Sequence, residues 1–240
     1  MTTTTGPAEA AGVTPIRRSP LAAGHERLGA RWVAERSHWP ASYGSPEGEG
    51  ETVRSAAGLA DAGPLVKLSV SGPDIRVSLG RIGLGGEVGG ITAGTLAGVV
   101  VDAWHIAPDE ALIVYAPADP ADPAAATAGI AALRAGGFAP VEQSSGIAAL
   151  VLIGPAAREV LRDVVPIDVH PRALPDRSLA SGPVAGIRTV VGRVDRDALP
   201  SFTLLVARDL AVALWEALLE AGGGHGLRCV GADALPGGSR

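Results

Sequence analysis

Apolar positions along the chain fall into runs with two different periods. In "LVKLSVSG" the residues Val66, Leu68 and Val70 alternate with polar neighbours, the pattern of a strand with one buried face. Gly72-Pro73 ends it, because proline lacks an amide hydrogen and suits the first turn of a helix. Ile75, Leu79 and Ile82 then recur at helical spacing. The same grammar returns later: "GIAALVLIG" reads as a buried strand, Gly154-Pro155 breaks it, and Ala157, Val160, Leu161 and Val164 mark a helical face. Between the two units, "AGVVVDAWHI", the turn "APDE" and "ALIVYAP" predict a hairpin. "PVAGIRTVVGRV" and "SFTLLVA" predict another pair of strands.

Helices are predicted in "SPLAAGHERLGARWVAE" with Ser19 as its cap, in the Ala-rich stretch that ends at Gly136, and in "RDLAVALWEALLEAGGGHG", where Leu210, Leu214, Leu218 and Ala221 form one stripe. The Pro- and Gly-rich segment from Trp39 to Glu51 predicts a loop. Short connections between strand pairs, with the helices set apart, point to an α+β fold rather than a doubly wound sheet. The duplicated strand–Gly-Pro–helix unit implies two pseudo-repeated lobes, at about 19–118 and 124–235, within one domain over 19–240. Residues 1–18 read as a flexible tail.

Composition narrows the function. Hydrophobic residues make up 47% and aromatics only 3%, so the core must be built from Ala, Val, Leu and Ile. The net charge of −5, with Lys67 as the one lysine and no basic stripe, points away from nucleic acid. A single cysteine, Cys229, excludes an internal disulfide and a thiolate metal site, and no metal site is expected. No apolar window is long enough to span a membrane and no secretory signal is evident, which makes the cytoplasm the expected location.

Neither Gly-Pro unit carries the Gly-rich loop or the lysine of a phosphate cradle, so both are expected to be structural corners. "GLGGEVGG" and "GGGHG" lack dinucleotide-binding spacing and read as connections.

Five segments in order resemble the glycine cleavage T-protein family of folate-binding aminomethyltransferases. They are "SPLAAGHERLGARWVAE", "YGSPEGEGETVRSAAGLADAGPLVKLSVSGPDIRVSL", "LVLIGPAAREVLRDV", "RVDRDALPSFT" and "LLVARDLAVALWEALLEAGGGHGL". The resemblance implies an α+β fold whose two lobes surround a central folate pocket, without the C-terminal barrel domain. It implies tetrahydrofolate as cofactor, a small-molecule amine or folate adduct as substrate, and transfer of a methyl, methylene or aminomethyl unit.

The chain departs from the family pattern at the acids. The family's Ser-His falls on Ala62-Gly63, its Asp-Asp pair near Val99 and Val100, its Asn on Ala116, its two glutamates on Leu199 and Thr203, and its late arginine on Leu235, whereas Arg193 and Phe202 match. Asp102, Asp195 and Asp197 are the acids left to replace them. Within this resemblance Asp102 and His105 are the candidate catalytic residues; Tyr115, Trp104, Arg193 and Asp195 are the candidate cofactor-binding residues. Alternation along the strand puts Asp102 and Trp104 on one face and His105 on the other. His38 is expected near the pocket mouth. The chain is also similar to the small γ subunit of heterotetrameric sarcosine oxidase, which implies a partner protein. A third option is a folate-independent enzyme using the same pocket.

Overall fold

The computed structural model describes residues 18–33, 39–119, 122 and 124–236. Of the predicted tail, only Arg18 is among them, and His38 lies outside them. In chain order the elements are α1 (Ala22–Arg27), β1 (Arg31–Trp32), β2 (Pro40–Ser42), α2 (Pro46–Ser55), β3 (Ala57–Asp61), β4 (Val66–Ser71), α3 (Ile75–Gly80), β5 (Ile91–Leu96), β6 (Val99–Ala107) and β7 (Glu110–Tyr115). There follow α4 (Thr127–Ala135), β8 (Val141–Glu142), β9 (Ile147–Ile153), α5 (Ala157–Arg162), β10 (Ser178–Val184), β11 (Ile187–Arg193), β12 (Ser201–Ala207), α6 (Ala211–Gly222) and β13 (Leu227–Cys229).

The main strands form two stacked sheets, one in the order β10-β11-β12-β9-β3-β13 and the other β5-β6-β7-β4-β8. Side-chain alternation divides the interior into layers. Ala148, Leu150 and Leu152 of β9 and Phe202, Leu204 and Val206 of β12 meet α5 and α6 on the outer face of the six-stranded sheet. Val66, Leu68 and Val70 of β4 pack with Ile75 and Leu79 of α3 on the outer face of the five-stranded sheet. Trp104, Leu112 and Val114 meet Ala149, Leu179 and Leu205 between the sheets. Burial on both faces explains why "IAALVLI" and "SFTLLVA" are continuous apolar runs although the sheets are antiparallel at those strands.

Each Gly-Pro unit turns the chain from a strand into a six-residue helix lying on its own sheet, α3 on one and α5 on the other. The pseudo-repeat is therefore real, but the lobes share strands. β3 belongs to the six-stranded sheet and β8 to the five-stranded one, across the boundary that the sequence suggests.

Four sequence expectations need correction. The expected loop from Trp39 to Glu51 contains most of α2: Ser45 caps it, its hydroxyl accepting from the Gly48 amide at 3.2 Å, and Pro46, Glu47 and Glu49 fill the first turn. The N-terminal helix ends at Arg27 and gives way to β1. β5 precedes the expected hairpin, and the Ala97-Gly98 pair assigned to its strand is a turn, with φ of 50° and 80°. Likewise "PVAGIRTVV" is two strands, β10 and β11, joined at Ala185-Gly186 with φ of 49° and 78°. Both are two-residue hairpins whose twist matches that of the flanking strands.

Candidate functional site

An open cleft of about 1190 Å3 lies at one end of the stacked sheets. One wall is α2, with Glu47, Val53 and Arg54; another is the β3–β4 connection, with Asp61, Pro64 and Leu65. The turn between β11 and β12 contributes Arg196, Asp197 and Leu199, and the last described segment contributes Asp233 and Leu235. Val33 adds exposed apolar surface, and Trp39 and Pro117 pack behind it.

Behind the cleft wall lies a polar network built on Asp61, whose side chain is almost wholly buried. Its Oδ1 accepts from the Gly63 amide at 2.7 Å. Its Oδ2 accepts from the Ser19 hydroxyl and from His25 Nε2, the latter at 3.0 Å. A carboxylate can only accept, so Nε2 donates to Asp61, and the Tyr43 hydroxyl lies 2.7 Å from Nδ1. Trp215 stands edge-on to the imidazole, with centroids 5.3 Å apart. Burial, reinforced by Cys229, Asp61 and Glu49, raises the Tyr43 pKa and keeps the phenol protonated as a donor. Glu49 accepts from the Tyr43 amide at 2.6 Å and the Gly231 amide at 2.7 Å, tying β2 to the segment after β13. Burial, then Glu49, pushes the Cys229 thiol up to about 11, so the free cysteine stays protonated.

The six residues singled out from the sequence are distributed differently, and none lines this cleft. Asp102 pairs with Arg177, whose Nε also donates to the Ile91 carbonyl at 3.2 Å. That pair clamps the seam where the sheets meet, next to the Gly90–Ser178 bridge. Trp104 is buried between the sheets, its ring pressed on Gly192, where an added Cβ would lie 2.2 Å from the indole. Tyr115 faces the outer helical layer and donates to the Ala125 carbonyl at 3.1 Å. Arg193 and Asp195 are brought together as a bidentate pair at 2.6 and 2.8 Å, and Arg193 also donates to the Leu174 carbonyl at 2.9 Å.

His105 is fully buried, with Thr92 Oγ1 3.4 Å from its Nε2. Burial, and after it the nearby Arg76 charge, holds the imidazole below its ordinary pKa of 6.5. The unfolded ring thus takes up a proton on acidification that the folded ring refuses, so this residue's contribution to stability is lost as pH falls from the unfolded value toward the folded one. Urea titrations across that window should show stability falling by up to about 1.4 kcal/mol per pH unit from this group. His105→Gln should flatten the slope; parallel wild-type and variant slopes would contradict the assignment.

Sequence reasoning did not find the His25–Asp61–Tyr43 network, because its members lie on separate elements with no common spacing. It did place Leu199 at a family glutamate position, and Leu199 stands on the cleft wall. At Gly63, which the resemblance sets at the family's histidine, a Cβ would lie 2.3 Å from the Trp39 indole nitrogen. The tryptophan ring thus fills space that a larger residue at 63 would need.

The family model described as the GCVT N-terminal domain matches residues 21–237. The aminomethyltransferase of Streptomyces coelicolor is 30% identical over 225 residues, 89% of this chain and 59% of that protein. The aminomethyltransferase of Geobacillus sp. is 29% identical over 230 residues, 91% of this chain and 62% of its own length. The chain thus spans about 60% of the length of these curated relatives. Among solved structures, the glycine cleavage system aminomethyltransferase T from Bartonella henselae superposes with a TM-score of 0.72 at 22% identity, covering 92% of this chain and 61% of the other. A chain of the heterotetrameric sarcosine oxidase from Corynebacterium sp. U-96 superposes with a TM-score of 0.61 at 22% identity, covering 88% and 96%. With residues 21–237 matched by its model and the fold shared with aminomethyltransferase T, this chain belongs to the GCVT N-terminal domain family.

Proposed function

We propose that the chain binds a reduced folate in the cleft and serves one-carbon transfer to or from a small amine. The observation that carries this reading is the cleft itself: it is open, its volume of about 1190 Å3 suits a ligand of drug size or larger, and a buried carboxylate stands on its wall. Asp61 has about four acceptor positions and three donors, leaving one for an N–H group of a bound heterocycle. Pro64, Leu65 and Leu199 offer apolar surface for a flat ring. A folate would supply the carrier atom for the one-carbon unit; these residues would bind and orient it. Because Asp102 and His105 do not line the cleft, this reading moves the acidic role to Asp61 and to Asp197, which is exposed in the turn.

The test is calorimetry with tetrahydrofolate. Saturable heat with a dissociation constant below about 1 mM is expected, and its absence at that concentration rejects the reading.

A second reading is an accessory chain of a multisubunit oxidase. It is favoured by the match over 96% of a chain of heterotetrameric sarcosine oxidase. Val100, 74% exposed beside the Ala97-Gly98 turn, is apolar surface available to a partner. Co-expression with the neighbouring reading frames and native mass spectrometry should give a complex of several chains; a monomer alone counts against it.

A further inference from the structure

Of the two arginines that line the cleft among the described residues, Arg196 is the one without a partner. It sits in a two-residue hairpin turn: its amide donates to the Leu199 carbonyl at 3.0 Å and its carbonyl accepts from the Leu199 amide at 2.8 Å. The central residues Asp197 and Ala198 have φ of 48° and 64°. Left-handed backbone at two residues that are not glycine is held only by the surrounding structure, and it fixes how Arg196 and Leu199 enter the cleft.

The half-buried Arg196 guanidinium makes no hydrogen bond and no ion pair among the described residues. Arg54, the other arginine on the cleft, is paired with Glu51 at 3.0 Å. Arg177 and Arg193 are committed to Asp102 and Asp195. Arg196 feels the Asp102 carboxylate, but that acid already holds Arg177. A guanidinium presents five donors in a planar fork that matches a carboxylate, and partial burial strengthens such a pair. Three residues on, Leu199 stands where the resemblance sets a family glutamate. The cleft has thus exchanged an acceptor of N–H groups for an uncommitted donor of positive charge.

We propose that Arg196 makes the cleft a receptor for the carboxylate of a ligand with a planar apolar body. The body fits the apolar surface of Val33, Pro64, Leu65 and Leu199. A monoanion is preferred to a phosphate dianion, because Glu47, Asp61, Asp197 and Asp233 also line the cleft and repel excess negative charge. The inference goes beyond the folate reading, since it concerns the charge of the ligand and not its heterocycle.

Benzoate and its neutral isostere benzamide test it, titrated into the full chain by calorimetry or ligand-observed NMR. Benzoate should bind at least about tenfold more tightly than benzamide. Arg196→Gln should bring benzoate down to the benzamide level, Arg196→Lys should keep part of the preference, and Arg134→Gln, exposed on α4 and outside the cleft lining, should leave it within about twofold. Circular dichroism confirms that the variants fold, and in the wild type added salt should weaken benzoate but not benzamide. Equal binding of the two probes to wild type, unchanged benzoate binding in Arg196→Gln, or no benzoate binding at about 10 mM would each overturn the proposal. Tetrahydrofolate is titrated separately: if it fails to bind while benzoate discrimination holds, only the folate reading falls.

Discussion

Asp61→Ala is expected to destabilise the protein by about 3–5 kcal/mol. The carboxylate receives hydrogen bonds from Ser19, His25 and the Gly63 amide. His25 is completely buried and Ser19 nearly so. Removing the acceptor strands at least two buried donors, each costing about 1–3 kcal/mol. The effect should spread to Tyr43, whose hydroxyl depends on the ring orientation that Asp61 fixes. Asp61→Asn keeps one carbonyl oxygen but turns the amide's N–H groups toward donors, so about half the loss should remain. Urea unfolding monitored by tryptophan fluorescence measures both variants. A loss below about 1 kcal/mol in the alanine variant would show that the network contributes little.

Gly154→Ala is expected to cost about 3 kcal/mol or more. Two independent penalties combine at this corner. The residue has φ of 123°, a conformation that side chains with a Cβ rarely adopt. A Cβ there would also lie 2.6 Å from the Ala56 carbonyl oxygen and 2.7 Å from that of Val53. Those are backbone atoms at the end of α2 and the start of β3, so no rotamer change relieves the contact. The other Gly-Pro corner provides the comparison. Gly72 has φ of 152° and nothing within 4 Å of an added Cβ, so Gly72→Ala carries strain without the clash and should cost less. Equal losses at the two corners would refute the part assigned to close approach.

Much of this architecture is readable from residue order because the devices that build it are local. Proline cannot continue a strand ladder, so both Gly-Pro corners are visible, as is the hairpin joined by Pro108 and Asp109. The Ala-Gly turns are hidden because alanine seldom adopts positive φ, so the two pairs blend into their apolar neighbours. Helix α2 is masked by Gly48 and Gly50, although Ser45-Pro46-Glu47 carries a helix start in full. The candidate site is harder to read. Asp102 and Trp104 do sit on a strand as their spacing suggests, but partners from distant strands, Arg177 and Gly192, decide that one is a clamp and the other a packing contact. Arg196 gives no periodic signal at all; its standing depends on which cations are already paired.

Exchange of strands between the two halves of the chain has a consequence for synthesis on the ribosome. β3 is made early, yet its two neighbours, β9 and β13, belong to the second half of the chain. Until they emerge, Ala57–Asp61 has no ladder to join, and the nascent first half carries a bare strand exposed to aggregation. Neither half is a self-sufficient module, so a cut in the connection between β7 and α4 should yield two pieces that acquire structure only when mixed.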